Sequence, residues 1–80
     1  ISRKYPCIIK IQAMTRNNLV ADIITNLNTY NMNVLQFNVT NTKELTTNIK
    51  VKVLALNKYE LETLIINLHK IDGILGVRRG

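Results

Sequence analysis

Between Cys7 and Met14 apolar and polar residues alternate, with Lys10 and Gln12 set between Ile9, Ile11 and Ala13. A two-residue period marks a strand with one buried face. Cys7, Ile9, Ile11 and Ala13 are therefore predicted to point inward, and Ile8, Lys10, Gln12 and Met14 outward. Pro6 falls at the strand's start, where its missing N–H harms the ladder least. From Leu19 the period lengthens: Leu19, Val20, Ile23, Ile24, Leu27 and Tyr30 recur at steps of three and four, the apolar stripe of a helix. Thr15 and Asn17 are its candidate caps, and Asn31 to Asn33 breaks it. Alternation returns over Asn33 to Thr40, with Leu35, Phe37 and Val39 predicted inward and Gln36, Asn38 and Thr40 outward.

The polar stretch Asn41-Thr42-Lys43-Glu44 reads as a hairpin loop. Thr46 to Ala55 is the longest strand, with Thr47, Ile49, Val51, Val53 and Ala55 on one face and Asn48, Lys50 and Lys52 on the other. Asn57 followed by Glu60 is a variant of the capping box, and Leu61, Leu64, Ile65 and Leu68 continue at helical spacing. His69 and Lys70 lie in the last turn, where positive charge suits the helix dipole. Gly73 supplies the left-handed residue beyond it. Leu75 to Arg79 closes the chain as a short strand, with Leu75 and Val77 predicted inward and Arg78 outward. The order βαββαβ, with two right-handed crossovers, predicts a ferredoxin-like α+β sandwich. Its four-stranded antiparallel sheet has strands one and three central, strands two and four at the edges, and both helices on one face.

Composition adds size and charge to this picture. Eighty residues, 46% of them hydrophobic, make one domain spanning residues 1–80 with its core over 5–79. A core this small, with a single cysteine and so no disulfide, often borrows buried area from a second copy or a neighbouring domain. Cys7 sits in an apolar run and reads as a core residue rather than a reactive thiol. With no signal peptide and no apolar run of the length a membrane span needs, the chain is expected to be cytoplasmic and to have no membrane partner. Because it begins at Ile1, it is expected to be a domain taken from a larger chain. The net charge is +6. Lys10, Lys50, Lys52 and Arg78 are predicted to share the open sheet face, either as a solvated surface or as a phosphate-binding platform.

The fold hosts unrelated functions, so each is tested against the residues it needs. A soft-metal carrier requires two thiolates after the first strand, and the loop Met14-Thr15-Arg16-Asn17-Asn18 has no cysteine. An acylphosphatase-like phosphate cradle requires glycines there, and the loop has none. An RNA-recognition sheet stacks bases on aromatics. Here Phe37 is predicted inward, and Tyr5, Tyr30 and Tyr59 are predicted to lie outside the sheet. His69 stands at a helix end, Asp22 reads as a first-turn dipole partner, and no two carboxylates pair. No catalytic residue, metal site or cofactor is expected.

One segment goes further. Thr15-Arg16-Asn17-Asn18-Leu19-Val20-Ala21-Asp22-Ile23 resembles the ACT-domain signature, D-R-x-G-L-L-x-D-I, and joins the first strand to the first helix as that family requires. The Asn33-Val34 pair and the close Leu68-His69-Lys70-Ile71-Asp72-Gly73-Ile74-Leu75-Gly76-Val77-Arg78-Arg79 also match. That ending resembles the C-terminal ACT domain of RelA/SpoT-type (p)ppGpp synthetase/hydrolases, the GTP pyrophosphokinase family of the stringent response. The resemblance implies a non-catalytic regulatory domain that forms a homodimer and controls the catalytic domains of its parent chain. It also implies a small, branched-chain amino acid bound between Thr15, Asn18 and Leu19 on one wall and, on the other, Asn33, Val34 and Leu35 of a partner copy's second strand. Ribosomal RNA contact through Lys10, Lys50, Lys52 and Arg78 is a further implication, and an ACT domain of another metabolic enzyme is the alternative. Two positions depart from the signature: Asn18 replaces the loop glycine, and Thr15 replaces the acid.

Overall fold

The computed structural model describes residues 3–80. Strands β1 (Tyr5–Met14), β2 (Asn33–Asn41), β3 (Thr46–Ala55) and β4 (Ile74–Arg79) alternate with helices α1 (Leu19–Thr29) and α2 (Lys58–His69) in the order βαββαβ. The strands form one antiparallel sheet in the order β2-β3-β1-β4, the ferredoxin-like arrangement with β2 and β4 at the edges.

The two central strands keep their period throughout. Ile9, Ile11 and Ala13 of β1 and Thr47, Ile49, Val51, Val53 and Ala55 of β3 are all buried. Directly opposed residues share a face, so the pairs Ile9–Val51, Ile11–Ile49 and Ala13–Thr47 form one inward layer. Leu19, Ile23 and Leu27 from α1 and Leu61, Leu64 and Leu68 from α2 close over it. Each such side chain contributes roughly 1.5–3 kcal/mol when fully buried. Cys7, expected in the core, is half-buried and packs against this cluster at its margin. Met32, in the connection after α1, also plugs the core.

The edge strands break the period. On β2, Val34 opposes Val53 and Gln36 opposes Lys52, so Leu35 is an extra, bulged residue. Val34, not Leu35, therefore takes the inward position, and Leu35 is 52% exposed. The same occurs on β4, where Ile74 opposes Ala13 and Gly76 opposes Gln12. Leu75, predicted inward, stands out at 55% exposure and Ile74 packs in its place. Alternation alone cannot register an inserted residue. Tyr5, placed outside the sheet by the sequence pattern, opens β1 opposite Ala55.

The helices start by different means. Asn57, with extended backbone, accepts a bond from the Glu60 N–H at 2.9 Å, while Glu60 Oε1 accepts from Leu56 N, one residue before the cap. At α1 neither Thr15 nor Asn17 is the cap. Asn18 holds that position with left-handed backbone, φ 65° and ψ 12°, and its side chain makes no capping bond. Gly73 follows α2 at φ 91° as expected. Its carbonyl accepts from Met14 N at 2.7 Å, tying the end of α2 to the end of β1.

Asn57→Ala should cost about 1 kcal/mol in urea unfolding, the usual loss for a bonded N-cap. Asn17→Ala should change stability by less than about 0.5 kcal/mol, as for surface positions that hold no cap. Equal losses would mean that the two helix starts are built alike.

Candidate functional site

The β1–α1 loop lies beside the β2–β3 hairpin, and a chain of side chains joins them. Thr47 is the buried polar residue of the core, 2% exposed on a strand face otherwise formed by isoleucine, valine and alanine. Its Oγ1 donates to Asn41 Oδ1 at 2.9 Å and lies 2.8 Å from Thr15 Oγ1. A hydroxyl carries one proton. Thr47 spends that proton on Asn41, so Thr15 is the donor in the second bond. The polar chain thus runs from Thr15 through Thr47 to Asn41 at the end of edge strand β2. The Thr15 N–H donates to Leu45 O at 2.9 Å and fixes the loop's first residue.

Arg16 ties the rest of the loop down. Nε donates to Asp72 O, Nη1 to Asn17 O, and Nη2 pairs with Asp22 Oδ2 at 2.7 Å. Asp22 is thus a guanidinium partner as well as a first-turn acid. Gly73 lies beside the clamp, where a Cβ would be in ordinary contact with Arg16 Nε at 3.4 Å; its φ of 91° is what favours glycine there.

Above the polar chain is a small open depression of about 250 Å3, lined by Thr15, Arg16, Asn18, Leu19, Val39, Asn41 and Thr47 among others. Three of the six residues expected at a ligand site, Thr15, Asn18 and Leu19, are therefore brought together. Asn33, Val34 and Leu35 are not. They pair with the Leu54 end of β3, whereas Asn41 pairs with Thr47 at the opposite end. The eight steps from Asn33 to Asn41 separate these walls by roughly 26 Å at strand rise. Asn41 and Thr47 were read from sequence as loop and core. A threonine in an otherwise aliphatic inward row was the signal for both, because a buried hydroxyl demands a partner.

Along β2 the sheet is bare. Val34, Leu35 and Val39 are each more than 40% exposed, and Ile24 on the outer flank of α1 is 42% exposed. The apolar stripe of α1 is thus wider than the sheet beneath it. Across the open face, Lys10 stands directly opposite both Lys50 and Arg78, while Lys52 lies one row away, opposite Ile8. No aromatic residue occupies that face among the described residues. Among the described residues no group of three or more His, Cys, Asp or Glu is placed to hold a metal ion, and no helix is long and apolar enough to cross a membrane.

The family model of the ACT domain matches residues 2–79. The chain belongs to the ACT-domain family. It is a regulatory domain. Its fold is similar to the ACT domain from GTP pyrophosphokinase of Chlorobium tepidum, with a TM-score of 0.87 and 20% identity over 98% of this chain and 100% of that one. A homoserine dehydrogenase from Thiobacillus denitrificans matches with a TM-score of 0.77 and 20% identity, over 98% of this chain and 17% of that one. The C-terminal domain of the MgtC protein from Mycobacterium tuberculosis matches at 0.74 and 14%, over 94% and 86%. At these identities the likeness is one of fold. No curated protein sequence matches the ACT domain described here.

The Thr15–Thr47 bond should be measurable as a coupling. In a double-mutant cycle of Thr15→Val and Thr47→Val, an interaction energy of about 0.5–1.5 kcal/mol is expected. Strict additivity would show that the hydroxyl chain does not hold the loop.

Proposed function

We infer that this ACT domain regulates a (p)ppGpp synthetase/hydrolase of the GTP pyrophosphokinase type. In this reading it pairs side by side with a second copy and binds a small aliphatic amino acid where the copies meet. The observation that carries the reading is the split site. Within one chain the two expected walls sit at opposite ends of β2. Antiparallel pairing of two β2 edges about Phe37 sets Asn33 of one copy opposite Asn41 of the other, and so beside the Thr15–Leu19 loop. Each copy then supplies the wall that the other lacks.

Other features agree. An open edge strand presents unpaired N–H and C=O groups to a partner, and the exposed Val34, Leu35, Val39 and Ile24 gain cover in the pair. The depression lies at the N-terminus of α1, where the helix dipole favours a carboxylate. The whole-length likeness to the GTP pyrophosphokinase ACT domain supports that parent.

Sedimentation at rising concentration should show a reversible dimer. Leu35→Lys, at an exposed bulge, should weaken it at least tenfold while leaving the far-UV circular dichroism unchanged. A wild-type chain that stays monomeric at millimolar concentration would exclude the pairing.

Titration with valine or isoleucine should shift the amides of Thr15 to Leu19 and of Asn33 to Leu35 together, and Leu35→Lys should abolish both sets. Absence of shifts in a dimer removes the ligand and leaves the pairing intact.

A further inference from the structure

The face of the sheet turned away from the helices carries charge that neither the β2 edge nor the β1–α1 depression uses. Lys50, Lys10 and Arg78 stand in one row across β3, β1 and β4. Adjacent strands are about 4.8 Å apart, so the row spans roughly 10 Å between its outer Cα atoms. Like charges directly opposite one another destabilise a sheet, and here the middle cation faces one on each side. No acid compensates them: Asp22, Glu60 and Glu62 are on the helices, and Glu44 and Asp72 are in connections. The single ion pair among the described residues, Arg16 with Asp22, lies off this face.

The row is also shaped. Lys10 runs close over Gly80, where a Cβ would come within 2.9 Å of Lys10 Cε, so its stem is held against the chain. The Gly80 N–H donates to Ile8 O at 2.9 Å, which fixes that backbone. Asn38 extends the row beside Lys50, and the next row reads Thr40, Asn48, Gln12 and Gly76. These two rows line a trough over the sheet. Gly76 keeps it open at the β4 side, since a Cβ there would meet nothing within 4 Å.

Three occupants can be weighed against this arrangement. A second copy of the same face would set cation against cation. Single-stranded nucleic acid needs aromatic platforms for its bases along a cationic track, and this face carries no aromatic residue among the described residues: beside the row stand amides, a hydroxyl and a glycine on one side and Lys52 opposite Ile8 on the other. A short, highly charged anion matches both the length of the row and the donors beside it, because ammonium and guanidinium groups make their strongest hydrogen bonds to ionised oxygens.

We propose that the open face binds a compact oligophosphate, either free or as the phosphate chain of a nucleotide, across Lys50, Lys10 and Arg78. Gln12, Asn48 and Asn38 donate to its flanks.

Tripolyphosphate titrated at constant ionic strength should shift the amides of residues 10, 12, 48, 50, 76 and 78 and saturate at least tenfold below the concentration sulfate requires. Lys10→Gln should weaken binding about tenfold without lowering Tm, since it removes both like-charge contacts. A residue held only for structure would not show that combination. Gly76→Thr should also weaken binding, by filling the trough in a fold that has room for it. Stronger binding of a nucleoside triphosphate than of tripolyphosphate supports a nucleotide source, and equal binding supports the phosphate chain alone. Parity with sulfate, or shifts confined to other residues, overturns the proposal. So does a 12-residue single-stranded RNA that outcompetes tripolyphosphate with an affinity that grows with RNA length. The three cations lie off the β2 edge, so the result is independent of dimerisation.

Discussion

Two helices cover one face of a four-stranded sheet and nothing more. Among the described residues there is no third layer and no further strand, so burial is concentrated in a single layer. The inward rows of β1 and β3 meet Leu19, Ile23 and Leu27 from one helix and Leu61, Leu64 and Leu68 from the other. Everything outside that layer is left to water or to a partner: the opposite face, the outer margins of the two edge strands and the outer flank of α1. The surfaces proposed to act are those that the packing leaves uncovered.

Within the core, Thr47 is an exception that organises its surroundings. A hydroxyl in low-dielectric surroundings is costly unless bonded. It is bonded on both sides, to Thr15 and to Asn41. The loop that begins α1 and the end of β2 are therefore set relative to one another by a buried requirement rather than by surface contacts. Arg16 does similar service on the other flank, joining the loop to Asp72 and Asp22. The depression between these anchors is shaped by the chain's own bonds.

The sequence was legible where one physical demand dominated. β3 runs from Thr46 to Ala55 as alternation predicted, and Asn57 caps α2 through a bonded partner visible three residues on. Legibility failed where an inserted residue changed the parity. Leu35 and Leu75 both continue an alternating pattern on paper, yet each is a bulge beside a residue that takes its inward position, Val34 still 41% exposed and Ile74 packed against the core. It failed again at α1, where Asn18 starts the helix through its backbone conformation, with no side-chain bond for a sequence pattern to announce. Half of the expected site, Thr15, Asn18 and Leu19, came together because those residues are neighbours in sequence and the loop is short. Asn33 to Leu35 lie far away because β2 runs in the direction that carries its start away from the loop.

The bulge at Leu75 bears on how large an assembly can become. In the proposed pair, joined along β2, the β4 strands would be the two outer margins of the combined sheet. Beyond the bulge each margin offers only Gly76 to Arg79 in regular register, ending in two arginines. A template so short and so charged is poor at recruiting further strands. One edge is therefore left free to join and the other is blunted, which makes a finite pair the natural end point instead of a growing fibre.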